Sequence, residues 1–188
     1  PGGPRVPPGV GDRPPQMAGG GHKLIPPPLA GCRSTADIRR VARRQAAARP
    51  RGGWIVTMPV GRPPFYLDPP AELAERRWPT RVDLDAAAPD HPVYVRGIWG
   101  YWNKPPVYSV ANTAALRAAG ITRDTDPPRG VAILKDAAGE PTGVFVEDNL
   151  VQVLEFTLMR AAPRFTHADR LRALVESQRR YAARGVTG

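Results

Sequence analysis

The chain has 188 residues, including 24 prolines and 19 glycines, and 41% of its residues are hydrophobic. This is enough for one domain of ordinary size with an apolar core. It contains no run of eighteen apolar residues and no signal-like start, so we expect a soluble, cytoplasmic protein without a membrane span. The formal net charge is +10, and 24 of the 27 basic residues are arginine.

The first 33 residues differ from the rest of the chain. They contain 17 glycines or prolines and show no hydrophobic period. Proline removes backbone donors and glycine raises the entropic cost of ordering. We therefore predict a disordered tail over 1–33 and one partial domain over 34–188.

The predicted elements begin at Ser34, a typical N-cap residue with Asp37 three positions later. A helix is predicted from there to Ala46, because apolar residues recur at helical spacing before Pro50. A buried strand is predicted over 54–58. A proline-rich loop over 60–82, with a helical turn at 71–77, leads to a short helix over 84–88 that Asp83 caps. A second strand is predicted over 92–99.

The second half of the chain alternates helices and strands. A helix is predicted over 112–119, with Gly120 as its left-handed C-terminal cap. A hairpin follows, with strands over 131–135 and 142–146 and turn residues between them. Helices are predicted over 148–160 and after the cap residue Thr166, and a strand opens at 186–187. The fold class is therefore α/β, as a mixed fragment, with too few strands to close an eight-stranded barrel.

Motifs for several kinds of chemistry are missing from the sequence. It has no glycine-rich phosphate loop after a strand and no nucleophile elbow. Cys32 is the single cysteine, and the three histidines are far apart: they are His22, His91 and His167. We therefore expect no catalytic residue and no metal site from this chain alone. An acid–base pair among Glu140, Glu147 and Asp148 is conceivable, but turn and cap roles explain these residues more simply.

The arginines are scattered and often adjacent to acids, as at Asp169 and Arg170. A cluster on the first helix, 39–44, is typical of a solvated helix face. We therefore predict no nucleic-acid partner. A basic binding module for nucleic acid or an acidic partner remains the alternative function.

Aromatic residues are concentrated after the second predicted strand. Two of the four tryptophans and two of the five tyrosines fall within 97–112. Such a loop at the end of a strand suits the wall of a ligand pocket, although the rings could instead pack on the fold. We prefer the pocket and assign it six substrate-binding residues: Trp99, Tyr101, Trp102, Asn103, Tyr108 and Asn112.

Several blocks of the sequence resemble the third amidohydrolase family, which includes N-substituted formamide deformylase. The blocks are Trp54-Ile-Val-Thr-Met-Pro-Val-Gly-Arg-Pro-Pro-Phe, Pro79-Thr-Arg-Val-Asp-Leu-Asp, Ala88-Pro-Asp-His-Pro-Val, Ser109-Val-Ala-Asn-Thr-Ala-Ala-Leu-Arg-Ala-Ala-Gly and Gly139-Glu-Pro-Thr-Gly-Val. The resemblance covers about residues 32–188. It implies an insertion subdomain followed by the start of an incomplete (β/α)8 barrel.

The resemblance also implies a divalent metal, zinc in our expectation, bound in part by a His-x-His pair that this sequence lacks. Such a metal lowers the pKa of a bound water and polarises a carbonyl. Many relatives carry Asp-Gly-His where Trp99-Gly100-Tyr101 stands here.

The resulting hypothesis is a fragment of a metal-dependent hydrolase that cleaves a non-peptide amide or N-acyl bond. The isolated chain would supply pocket wall, bind no metal and be inactive. Its expected partners are a small-molecule amide and the remainder of the barrel, and a homo-oligomer is a further expectation.

Overall fold

Ser34 begins the first long helix of the protein, because its hydroxyl accepts a hydrogen bond from the Asp37 backbone N–H at 3.2 Å. The computed structural model describes residues 24–61, 66, 69–97 and 105–186. Helix α1 (Thr35–Ala47) buries Ile38 and Ala42 on one side. The predicted start and length of this helix are confirmed.

Five strands form one mixed sheet. They are β1 (Ile55–Thr57), β2 (Val93–Val95), β3 (Val107–Ala111), β4 (Val131–Lys135) and β5 (Pro141–Glu147). Their order is β1-β2-β3-β5-β4. Strand β1 runs parallel to β2, whereas β2–β3, β3–β5 and β4–β5 are antiparallel pairs. This confirms a mixed α/β structure with the predicted hairpin at β4–β5.

The two faces of the sheet bury different sets of side chains, as the twofold period of a strand requires. One face packs Val93, Val95 and Val110 against Ile38 and other aliphatic residues. The opposite face buries a second set that includes an aromatic pair and residues from later helices. Its main members are Tyr94, Ala111, Leu116, Phe145, Leu154 and Met159.

Among the described residues, three short helices lie between strands, and a fourth follows the last strand. They are α2 (Pro69–Glu72), α3 (Arg81–Asp85), α4 (Thr113–Ala119) and α5 (Val153–Phe156). Helix α4 ends at Gly120, whose φ of 69° lies in the left-handed region as the sequence predicted. Helix α3 begins at Thr80, whose backbone N–H donates to the Asp83 carboxylate at 2.8 Å. Asp83 is thus inside the first turn, three residues after the cap.

The predicted helix over 148–160 is shorter than expected. Its helical part is confined to Val153–Phe156, and Leu150 and Val151 before it are exposed. The Glu147 carboxylate accepts hydrogen bonds from the first N–H groups of α5, which fixes its start at Val153. The backbone of Thr157 then leaves helical geometry, with φ −115° and ψ −92°. Likewise, the turn predicted at 71–77 is observed at Pro69–Glu72.

Packed structure begins before Ser34. Leu29 is 1% exposed and forms a bridge with Val60, and the Pro27 carbonyl accepts from the Met58 N–H at 2.9 Å. These contacts lie directly after β1 and hold this proline-rich stretch in place without regular structure. The domain start predicted at residue 34 therefore lies about eight residues inside the packed unit, which begins at Pro26.

The described residues form two compact units. The larger one extends over Pro26–Pro163, and the other contains residues 24–25 and 164–186. The second unit holds helix α6 (His167–Ala182), which Thr166 and Asp169 begin with a reciprocal capping box. Val186 forms an isolated bridge, and residue 187 of the predicted strand lies outside the described ranges. No helix in these ranges is both long and apolar enough to cross a membrane.

Candidate functional site

The predicted pocket segment begins and ends at one edge of the sheet. Strand β2 ends at Val95 and β3 begins at Val107, which pairs with Glu147, the last residue of β5. Four of the six predicted pocket residues lie outside the described residues: Trp99, Tyr101, Trp102 and Asn103. Tyr108 and Asn112 are described: Tyr108 is the second residue of β3, and Asn112 directly follows the strand.

Gly97 marks the point where the segment leaves the sheet. A Cβ atom at this residue would lie 2.6 Å from Val107 Cγ1 and 3.4 Å from Gln152 Nε2. The backbone therefore approaches its neighbours closely enough that only glycine fits. This close approach fixes where the aromatic segment begins.

Tyr108 is half-buried and stacks on Trp78. The ring centroids are 4.4 Å apart and the planes are inclined by 16°. Both rings pack against the aliphatic core of the first sheet face. Stacking of this kind adds about 0.5–1.5 kcal/mol beyond burial. No local sequence pattern joins Trp78 to this region, because 30 residues separate it from Tyr108.

Asn112 is 0% exposed and its amide is fully engaged with the backbone. The Oδ1 atom accepts from the N–H groups of Val93 at 2.8 Å and Ala115 at 2.9 Å. The Nδ2 atom donates to the carbonyls of His91 at 2.9 Å and Ala88 at 3.3 Å. Asn112 thus caps α4 and ties it to β2, and its assignment to a substrate pocket stays a prediction.

Arg96 and Glu155 form an ion pair at the same edge. The Arg96 Nε–H donates to Glu155 Oε1 at 2.7 Å, and a second guanidinium nitrogen contacts Oε2. The side chains are only 12% and 17% exposed. A two-point contact of this kind fixes the orientation of both groups. It joins the end of β2 to α5 directly before the aromatic segment.

Glu147 is a second carboxylate in this cluster. It is 4% exposed and accepts hydrogen bonds from the N–H groups of Val153 and Leu154. Burial raises the pKa of Glu147, and the charge of Glu155 adds to the increase, although the hydrogen bonds oppose it. Glu147 thus caps the start of α5, in agreement with the cap role predicted from the sequence.

Tyr94 completes the cluster from the middle of β2. It is 1% exposed, and burial holds the pKa of Tyr94 well above its ordinary value. The phenol therefore stays neutral near pH 7. Together the four ionisable groups of this edge cluster support α5 and the loop start. They are Tyr94, Arg96, Glu147 and Glu155.

The described residues do not fit the divalent metal that the resemblance implies. Nowhere in the described ranges do three or more histidine, cysteine, aspartate or glutamate side chains come together. His91 is buried, with Nδ1 2.9 Å from the Gly53 carbonyl oxygen, and His167 is exposed on α6. Cys32 is half-buried, and burial raises its thiol pKa, so it is a poor nucleophile.

The mixed sheet and its flanking helices resemble parts of two solved metal-dependent hydrolases. One, uncharacterised and from Pyrococcus horikoshii, superimposes with a TM-score of 0.57 at 20% identity, over 96% of this chain and 30% of that protein. The other, from Pyrococcus furiosus, gives a TM-score of 0.55 at 20% identity, over 95% and 30%. At this identity the likeness establishes the fold of the described region.

The sequence comparisons define the family. The profile of the amidohydrolase family matches residues 18–188. YtcJ of Bacillus subtilis, named as an amidohydrolase, is 32% identical over 140 residues, which is 74% of this chain and 24% of YtcJ. The N-substituted formamide deformylase of Arthrobacter pascens is 31% identical over 121 residues, 64% of this chain and 19% of that enzyme.

The chain therefore belongs to the amidohydrolase family, which confirms the resemblance found in the sequence. It spans about a quarter or less of the length of these curated relatives.

Proposed function

We propose that the chain is part of a metal-dependent amidohydrolase that hydrolyses a non-peptide carbon–nitrogen bond in a small amide or N-acyl compound. The observation that carries this proposal is the family match over residues 18–188. A relative named for an N-substituted formamide supports this substrate class. The proposed architecture of the intact enzyme is a (β/α)8 barrel, to which the sheet described above is an insertion.

The proposed role of this chain is to form substrate-pocket wall. The half-buried Tyr108 ring, held by its stack on Trp78, is the described part of that wall. The predicted pocket residues in 98–104 extend it. The edge cluster supports both ends of this segment. Arg96, directly after β2, binds α5, and Glu147, which pairs with Val107 at the start of β3, binds the same helix. A pocket wall positioned in this way orients a substrate but activates no water.

We propose that the metal, zinc or another divalent ion, is held by residues outside the described ranges. The described ranges contain no group of three or more His, Cys, Asp or Glu side chains that could hold it. The chain by itself is then inactive and functions in the cytoplasm with the remainder of the barrel, and a homo-oligomer is a further proposal. The chain contributes binding and orientation, and the metal supplies the activated water.

Metal content and hydrolysis test this proposal. The purified 188-residue chain, incubated with Zn²⁺ and dialysed, is assayed for bound metal and for release of formate from an N-substituted formamide. For the 188-residue chain we expect neither stoichiometric metal nor turnover. For the longest product of the coding region we expect both. Turnover by the 188-residue chain would overturn its proposed inactivity. No amide hydrolysis by the longer product would overturn the assignment itself.

The contribution of Tyr108 is measured in that longer product. Tyr108→Ala removes one stacked ring, so we expect a several-fold higher KM with a smaller change in kcat. Val82→Ala is the matched control, because Val82 is 68% exposed on α3. Equal KM values in both variants would contradict the proposed wall.

The alternative, a basic module for nucleic acid, has less support. Many described arginines form ion pairs with carboxylates, and their charge is thereby locally neutralised. They are Arg40, Arg51, Arg77, Arg81, Arg96, Arg123, Arg172 and Arg180. A gel shift that weakens steeply with salt would favour this alternative.

A further inference from the structure

A cavity of about 370 Å³ lies along the carboxyl-terminal half of α6. Its volume is in the range that small organic ligands occupy. The described residues that line it are Leu24, Ser177, Arg180, Tyr181 and Arg184. The last four have the spacing i, i+3, i+4 and i+7, so they share one face of the helix and its continuation. The helix therefore contributes a single stripe of side chains to the cavity wall, and Leu24 contributes an apolar side chain.

Ser177 is a buried hydrogen-bonding group on this wall. The residue is 3% exposed, and across the described part of the chain its hydroxyl has no hydrogen-bond partner. Leaving a buried polar group unsatisfied costs about 1–3 kcal/mol. The hydroxyl is thus available to a molecule that enters the cavity.

Two guanidinium groups line the cavity close to Ser177. Arg180 Nε donates to Glu176 at 2.9 Å, and Arg184 donates to the Arg180 carbonyl oxygen at 3.3 Å. Arg184 has no carboxylate partner within the described ranges. Arginines in the last turn also stabilise the helix carboxyl terminus, which explains their charge. That effect explains neither the cavity nor the unsatisfied hydroxyl of Ser177.

The described lining offers only donors, hydroxyls and apolar surface. Ser177 and Tyr181 each carry a hydroxyl, Arg180 and Arg184 carry positive charge, and Leu24 is apolar. No carboxylate is among these five residues. Guanidinium groups bind carboxylates in a two-point geometry, and an apolar wall favours a hydrocarbon or aromatic body.

We propose that this cavity binds a small monocarboxylate with an apolar body, such as an aromatic acid. Arg184 contacts the carboxylate, Ser177 donates to it, and Leu24 contacts the apolar body. This site goes beyond the proposed hydrolase function and does not depend on it, because α6 and Leu24 belong to the other unit of the chain.

Calorimetric titration of the 188-residue chain with benzoate tests the proposal, with benzamide as the uncharged isostere. We expect saturable binding of benzoate and binding of benzamide that is at least about tenfold weaker. Arg184→Gln is expected to weaken benzoate binding about tenfold, and Ser177→Ala several-fold. Arg179→Gln is the matched control, because Arg179 is exposed, lies off the lining face and carries the same charge.

Circular dichroism verifies that each variant keeps its helix content, and Ser177→Ala is a mild change inside a helix. The proposal is overturned by the absence of saturable benzoate binding, by equal affinity for benzamide, or by equal losses in the Arg184 and Arg179 variants. Inorganic phosphate is titrated in parallel. Binding of phosphate without benzoate would likewise reject the proposed ligand class.

Discussion

Arg96 and Glu155 are 59 residues apart in the sequence, yet their side chains are joined by two contacts. Among the ion pairs of the described residues, theirs is the least exposed. The pair joins a strand end to a four-residue helix. Such a short helix has little stability of its own, since helix nucleation is costly. Its position therefore depends on this pair and on the cap from Glu147.

Removal of one partner of this pair should destabilise the larger unit. Arg96→Met leaves the Glu155 carboxylate buried without its cation, and we expect a loss of about 3 kcal/mol in the free energy of unfolding. The double variant with Glu155→Met should recover much of this loss. Urea unfolding measures all three. The exposed pair Arg51–Asp90 is the control, with an expected cost below about 1 kcal/mol.

The stability should respond to pH through Glu147. Burial raises its pKa in the folded state above 4.5, so the fold disfavours the ionised carboxylate. Below pH 4.5 Glu147 does not lower the free energy of unfolding. Its destabilising effect grows as the pH rises through the raised pKa of the folded state. Glu147→Gln keeps an oxygen acceptor for α5 but removes the charge. We expect this variant to be more stable than the wild type at pH 7, with a difference that shrinks toward pH 4.

That pH dependence is read from urea unfolding between about pH 2 and pH 8. Asp169→Asn is a control of opposite sign, since hydrogen bonds from Thr166 and the Arg172 contact lower the pKa of Asp169 to about 2. Its stabilising effect is present above pH 3.8 and is lost as the pH falls through 2. A Glu147→Gln variant that is less stable than the wild type at pH 7 would contradict the expected sign.

Asn112 should be among the most sensitive positions of the fold. Asn112→Ala would leave the N–H groups of Val93 and Ala115 and two carbonyls unsatisfied in a site with no exposure. We expect a loss of more than about 3 kcal/mol, measured by urea unfolding. Asn112→Asp keeps the acceptor for both N–H groups and should lose less at a pH where it is protonated. Equal losses for the two variants would mean that the acceptor contributes nothing.

Two glycines of positive φ provide a matched pair. At Gly143, φ is +87° and a Cβ would lie 2.2 Å from the Ala111 carbonyl oxygen, whereas Gly139, at φ +80°, has open space. Gly143→Ala should cost about 3 kcal/mol or more, because steric overlap adds to backbone strain. Gly139→Ala should cost about 1 kcal/mol from strain alone. Thermal unfolding of both variants separates the two effects.

Local signals in the sequence predicted those parts of the fold whose stability is local. The caps at Ser34 and Thr166 and the left-handed Gly120 act within one helical turn, so their spacing alone identifies α1, α6 and the end of α4. The hairpin β4–β5 follows from its turn residues in the same way. The order of the strands in the sheet does not follow from local signals, because β1 pairs in parallel with a strand 38 residues later.

The candidate site was less accessible to sequence reasoning. The aromatic concentration identified Tyr108, but its stacking partner Trp78 comes from a different connection of the chain. Asn112 attracted attention as a polar residue near aromatic ones, whereas its hydrogen bonds are those of a cap and a strand tie. Residue type alone does not distinguish an amide that binds substrate from one that satisfies buried backbone groups, since both need the same donors and acceptors.

The Trp78–Tyr108 stack has a spectroscopic consequence. Two nearly parallel rings 4.4 Å apart have electronic transitions that couple, so the stack should add a dichroic band in the near ultraviolet to the signals of the separate rings. Because one ring belongs to β3 and the other to the segment before α3, the band exists only while these two parts of the chain are docked. The larger unit thus carries an intrinsic optical reporter of its own assembly, with no label required.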